Sequence, residues 1–116
     1  MELVKTKLDG VYIVEPKVYG DNRGWFMETY SEKAFKDAGI DVTFVQDNHS
    51  YSAQKGVLRG LHFQLNPMSQ AKLLRVLRGT LLDVVVDIRK GSPTYGQWIS
   101  VELSADNKKE IFMPRG

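Results

Sequence analysis

Two apolar runs, Gln70 to Leu77 and Thr80 to Ile88, stand back to back with only Arg78-Gly79 between them. Their apolar residues recur with period two, the spacing of half-buried β-strands. The same period dominates the remainder of the chain, and it commits the fold to sheets. Val11-Tyr12-Ile13-Val14 reads as a short strand ended by Pro16, and Trp25 to Tyr30 as a second strand behind the turn-rich Gly20-Asp21-Asn22-Arg23-Gly24. Phe44 to Ala53 and Leu61 to Leu65 read as extended. Trp98 to Leu103 and Glu110 to Met113 complete the set, and Arg89-Lys90-Gly91-Ser92-Pro93-Thr94 breaks it.

One segment has helix signals. Ser31 suits an N-cap, Glu32 the first turn, and Gly39 a C-terminal stop, which predicts a helix over Ser31 to Ala38. Many short strands with Gly and Pro turns and one short helix point to an antiparallel sandwich or barrel. No repeat, low-complexity tract or linker divides the chain, so residues 1–116 are expected to form one domain.

If Arg78-Gly79 is a two-residue hairpin loop, Leu77 pairs with Thr80, Leu74 with Asp83 and Lys72 with Val85. Lys72, Leu74 and Val76 then share a face with Asp83, Val85 and Asp87. Leu73, Arg75, Leu77, Leu82, Val84, Val86 and Ile88 take the other. A three-residue loop would put Lys72 and Asp83 on opposite faces. The two-residue register is preferred because it gathers apolar residues on one side and the acids with the lysine on the other.

Composition narrows the chemistry. With 42% hydrophobic and 26% charged residues, the chain is an ordinary globular one. A net charge of +2 argues against nucleic acid as a partner but suits an anionic small molecule if the cations cluster. The chain contains no cysteine, which excludes disulfides, thiolate catalysis and cysteine-zinc sites. Met1 to Lys7 is too polar for a signal peptide and no apolar run reaches membrane length. The expected location is cytoplasmic, with no membrane partner.

His62 and Lys72 are the candidates for chemistry. A histidine between Leu61 and Phe63 is most often structural, satisfied by a backbone carbonyl. As a metal ligand it is poor, because Gln64 stands where a second histidine would be needed, and His49 is not in a ligand spacing. Acid–base work remains. Lys72 reads as a snorkelling edge lysine or as a pocket cation that stabilises an enolate oxygen, with Asp83 to hold it.

Arg59 is a solvated arginine or a phosphate contact, and Gly60 permits a bulge that re-aims it relative to His62. Arg23-Gly24-Trp25-Phe26-Met27-Glu28 reads by itself as a turn leading into a strand. Gln46 and Asn48 share a strand face as paired amides able to read a base or a sugar.

Taken together, DNRGWFMETY, FVQDNHSYSAQKGVLRGLHFQ and QAKLLRVLRGTLLDVVVDIRKGSPTYGQW closely resemble the dTDP-4-dehydrorhamnose 3,5-epimerase family. The likeness runs in order from about Leu8 to Gly116. It implies an all-β, cupin-type jelly roll (a double-stranded β-helix) with one short helix, free of metal and cofactor. It implies a homodimer with N-terminal strand exchange. The implied reaction is epimerisation of dTDP-4-dehydro-6-deoxy-D-glucose at C3 and C5, toward dTDP-L-rhamnose. By the resemblance His62 is the general base, Lys72 the enolate-stabilising cation and Arg59 a phosphate contact. Arg23, Glu28, Gln46 and Asn48 are nucleotide contacts with Phe26 as their apolar neighbour, and Arg23 and Glu28 serve the partner's site.

In the family the returning acid, a tyrosine, and the aspartate partner of the histidine lie past Gly116. The chain is therefore expected to be the first part of a longer domain, and poorly soluble or oligomeric by itself. Two alternatives carry over from the residues: a 3-epimerase or ketoisomerase on a related dTDP-sugar, and a dTDP-sugar-binding fragment without turnover.

Overall fold

The computed structural model describes residues 1–116. It is nearly all β. Strands β1 (Glu2–Lys5), β2 (Tyr12–Glu15), β3 (Val18–Asp21) and β4 (Gly24–Met27) precede the helix α1 (Glu32–Asp37). Strands β5 (Lys72–Arg75), β6 (Thr80–Val86), β7 (Trp98–Ser104) and β8 (Glu110–Met113) follow it. The antiparallel pairs build a four-stranded sheet ordered β1-β2-β8-β5 and two ribbons, β3-β4 and β6-β7.

The large sheet buries both faces. Its inner face sends Ile13, Ile111, Leu74 and Met113 against Val85, Ile99, Val101 and Leu103 of the β6-β7 ribbon, with Leu8 and Val11 closing the cluster. Its outer face carries Val14, Phe112, Tyr12 and Leu73, which α1 and the chain after it cover with Phe35, Ile40, Val42 and Phe44. Each fully buried side chain of this size contributes about 1.5–3 kcal/mol. Tyr30 stacks edge-on with Phe35 and Phe44, at ring-centroid distances of 4.9 and 5.2 Å.

The helix is where its caps place it. The Ser31 hydroxyl accepts from the Ala34 N–H at 3.3 Å. At the other end the Gly39 N–H donates to the Lys36 carbonyl and the Ile40 N–H to that of Phe35, with Gly39 at φ +102°. This paired closure brings Ile40 onto Phe35, the apolar contact that such a C-terminus favours.

The β5–β6 hairpin expected from the sequence does not form. β5 pairs with β8, placing Lys72 opposite Met113, and β6 pairs with β7, placing Asp83 opposite Val101. Residues Val76 to Gly79 carry the chain from one sheet to the other, and the Gly79 carbonyl accepts from the Ala105 N–H at 3.0 Å. The reason is burial. In a flat hairpin Leu74, Val76 and Val85 lie side by side on one surface. Folded over, they face one another across a core.

The face that was expected to be polar is therefore the inner one. Of the opposite set, Leu73 packs beneath the helix, whereas Leu82 and Val84 stay exposed on the outside of the ribbon.

Three further differences concern extended segments. Residues 41–71 contain no strand, so Phe44 to Ala53 and Leu61 to Leu65 pair with nothing. The second strand ends at Met27, short of Tyr30. Two strands have no sequence counterpart above: β1, in the polar N-terminus, and β3, which runs from Val18 into the Gly-Asp-Asn stretch and leaves Asn22-Arg23 as its turn.

Candidate functional site

Lys72 opens β5 and Asp83 sits in the middle of β6. Both are half-buried and both point inward, since Lys72 alternates with Leu74 and Asp83 is the ladder partner of inward Val101. They face the same gap between the two sheets, close enough for the lysine's charge to act on the carboxylate but without an ion-pair contact. Burial pushes the Asp83 carboxyl above its ordinary value, while the positive charge of Lys72 and the Val84 N–H pull it back. Asp83 Oδ2 is buried with no hydrogen-bond partner, so the lysine acts on that oxygen through its field rather than by contact.

The other sequence-predicted residues lie on two exposed segments. His62 and Arg59 belong to the stretch 41–71, and both are exposed. The His62 imidazole lies over Gly60. A Cβ at that glycine would stand 3.1 Å from Nδ1, so the ring would have to shift slightly, and the φ of +109° strains any residue with a Cβ. Arg59 Nη2 donates to the Ser52 hydroxyl at 3.1 Å. Gln46 and Asn48 are joined as an amide pair, Nε2 to Oδ1 at 3.4 Å, but from irregular chain rather than from a strand.

Arg23 occupies the β3-β4 loop and is clamped to Asp21, donating from Nη2 at 2.7 Å and from Nε at 3.2 Å. These hydrogen bonds hold the Asp21 carboxyl below its ordinary value. Phe26, on β4, is 70% exposed and lies opposite Tyr19. Glu28 follows β4 and is exposed. Arg23, Phe26, Tyr19 and Trp25 line an open concavity of about 440 Å³ at the end of the ribbon. His62, Lys72 and Asp83 do not line it.

The structure thus turns Lys72 and Asp83 toward one gap, joins Gln46 to Asn48, and gathers Arg23 with Phe26. No group of three or more His, Asp or Glu side chains converges in a way that could hold a metal ion. No helix is long and apolar enough to cross a membrane.

Two charged arrangements escaped the sequence reading. Asp87, at the end of β6, is buried and accepts from the Arg89 guanidinium, the Ser92 hydroxyl and the Thr94 hydroxyl. Arg89 also donates to the Asp9 carbonyl, and the Asp9 N–H donates to Thr94 Oγ1. The DIRKGSPT motif is therefore a lock between the β6-β7 loop and the β1-β2 connection. The hydrogen bonds hold the Asp87 carboxyl far below its usual range. Glu110, on central strand β8, has no exposure and neither of its oxygens has a partner.

Comparison with known proteins matches this geometry to one family. The family profile described as dTDP-4-dehydrorhamnose 3,5-epimerase matches residues 5–116. A protein of that description from Shigella flexneri is 56% identical over 100% of this chain and 64% of its own length. The crystal structure of the Bacillus anthracis dTDP-4-dehydrorhamnose 3,5-epimerase, with TDP and PPi bound, superposes with a TM-score of 0.95 at 46% identity. It covers 99% of this chain and 66% of that one. A Legionella pneumophila epimerase in complex with dTDP-4-keto-L-rhamnose gives a TM-score of 0.90 at 49% identity, over 99% of this chain and 61% of that one. The chain spans about three-fifths to two-thirds of the length of these relatives. With the profile, the identity and the cupin-like β fold in agreement, the chain belongs to the dTDP-4-dehydrorhamnose 3,5-epimerase family.

Proposed function

We propose that the complete protein epimerises dTDP-4-dehydro-6-deoxy-D-glucose at C3 and C5, yielding dTDP-4-dehydro-L-rhamnose for dTDP-L-rhamnose biosynthesis. The observation that carries this reading is the half-buried Lys72 facing Asp83 between two sheets, in a chain of this family.

A C–H bond beside a ketone is acidic only when the enolate is stabilised. The His62 imidazole takes the C–H proton, the bonding electron pair moves onto the C4 oxygen, and the Lys72 ammonium holds the resulting negative oxygen. Asp83 keeps the ammonium in place. Return of a proton to the opposite face inverts the centre. We assign that acid to the part of the full-length relatives beyond the span matched here. The steps exchange protons and leave the oxidation state of the sugar unchanged, so their balance needs no redox cofactor.

Arg59 supplies a fork for the diphosphate. Arg23, Phe26, Glu28, Gln46 and Asn48 contact the nucleotide. The exposed β3-β4 ribbon that carries Arg23 and Phe26 suits exchange within a cytoplasmic homodimer, with these residues serving the partner's site.

Incubation of the complete protein with the substrate in D2O tests the reading. Deuterium at both C3 and C5 supports it. Deuterium at C3 alone makes the protein a 3-epimerase. Tight dTDP binding with no deuterium at either carbon makes it a binder without turnover.

A further inference from the structure

The β3-β4 ribbon pairs with no other strand, and nearly all of its residues are exposed. Its direction nevertheless decides where Arg23 and Phe26 point. A cation–π contact ties it to the body. Lys108, in the turn between β7 and β8, places Nζ 4.6 Å from the centroid of the Trp25 ring. Trp25 and Lys108 face each other in a groove of about 420 Å³ whose floor includes Glu15 and Val18. In the ribbon register Trp25 lies opposite Gly20, and Phe26 opposite Tyr19. Trp25 therefore takes the face toward the turn, and Phe26 the face away from it.

The turn is built to hold that lysine. Asn107 Oδ1 accepts from the N–H groups of Ser104 and Lys109, at 3.1 and 3.0 Å. Its Nδ2 donates to the Glu102 carbonyl at 2.9 Å, and its own N–H donates to the Ser104 hydroxyl at 2.9 Å. Lys108 sits at φ +55°, the one non-glycine residue of the chain with a positive φ. Glycine or asparagine would adopt that conformation at lower cost. From this place the Lys108 side chain sets its cation on the Trp25 face, while Nζ also donates to the Asp106 carbonyl at 3.4 Å.

We propose that Lys108 is a positioning residue: by bracing Trp25 it fixes the projection of the β3-β4 ribbon and so the placement of Arg23 and Phe26 against the nucleotide. The second half of this statement rests on the binding roles assigned under the proposed function.

The test uses Lys108→Met and Lys108→Arg in the complete protein. Amide hydrogen exchange over Val18 to Met27 reads the brace without reference to activity. Titration with dTDP, and KM against kcat, read its consequence. Lys108→Met is expected to speed ribbon exchange about threefold, the size of an exposed cation–π contact, and to leave β8 unchanged. It is expected to weaken dTDP binding and raise KM by a similar factor with kcat within twofold. Lys108→Arg, which keeps the cation, is expected to restore both.

Unchanged ribbon exchange in Lys108→Met overturns the brace. Equal effects of Met and Arg also overturn it, because the loss then belongs to the turn and not to the cation. A loosened ribbon with unchanged dTDP affinity overturns the link to binding. Failure of the unsubstituted protein to bind dTDP overturns the assigned function instead, and hydrogen exchange still decides the brace.

Discussion

Lys72 and Asp83 come from strands of different sheets, eleven residues apart in sequence, and face one another across the core rather than along a shared ladder. An ammonium half-buried between sheets is oriented only if something opposes it there. Lys72→Met is expected to lower kcat of the complete protein by about 10²–10³-fold, the usual cost of removing one group that stabilises a developing oxyanion. Asp83→Asn keeps the shape and removes the opposing charge. It is expected to cost about tenfold in kcat with KM little changed, as measured by steady-state kinetics. Equal kcat for Asp83→Asn and the unsubstituted protein would show that Asp83 does not position the lysine.

Glu110 predicts an unusual pH dependence of stability. Desolvation raises its carboxyl from 4.5 to about 7, against a small opposing pull from Arg75. The folded protein therefore keeps this proton up to about pH 7, whereas the unfolded chain releases it near pH 4.3. Between those values the folded state binds more protons, so its stability falls as pH rises and levels off above about pH 7. Glu110→Gln resembles the protonated acid. It is expected to be near-neutral at pH 4.5 and to stabilise by about 2–3 kcal/mol at pH 8. Denaturant unfolding at both pH values measures it, and curves that remain parallel would refute the assignment.

Asp87 should behave in the opposite sense. Its carboxyl is depressed by the Arg89 guanidinium and two hydroxyls. The stability it confers is present above the unfolded value near pH 3.9 and is lost only as pH falls toward the folded value. Asp87→Asn leaves Arg89 without its partner and releases the tie to Asp9. A loss of about 3 kcal/mol is expected at neutral pH, as for other buried pairs broken from one side. Chemical denaturation reads it directly, and a loss below about 0.5 kcal/mol would contradict the lock.

Surface exposure makes a prediction about association. Val45, Leu58, Leu61, Phe63, Leu65 and Met68 are all more than 60% exposed along one irregular stretch. Apolar surface of that extent favours self-association. A chain of these 116 residues is expected to be oligomeric or sparingly soluble, and a sharp monomeric peak in light scattering would contradict this.

Local signals were the legible part of this fold. Ser31, Glu32 and Gly39 marked the helix because capping is decided within a few residues. The period-two runs marked β5 to β8 for the same reason. Partner choice was not legible. Alternation gives the faces of a strand but not which strand lies beside it, and so the Lys72–Asp83 proximity was anticipated through the wrong pairing. β1 and β3 were hidden by Lys, Gly and Asp, which carry weak strand preference but are tolerated at edges. Glu110 gave no warning, since a glutamate beside Ile111 and Phe112 is read as the exposed member of an alternating strand until the helix is seen to cover that face.

In the proposed reaction His62 removes the protons beside the ketone while Lys72 holds the oxyanion that forms. The most direct test follows deuterium entry at C3 and C5 by NMR in the complete protein and its His62→Asn variant, with dTDP affinity measured on both. Exchange at both carbons is expected to fall by at least about 10²-fold in the variant while dTDP affinity stays within twofold. Exchange that persists at either carbon in His62→Asn would contradict it, because another group would then be the base at that carbon.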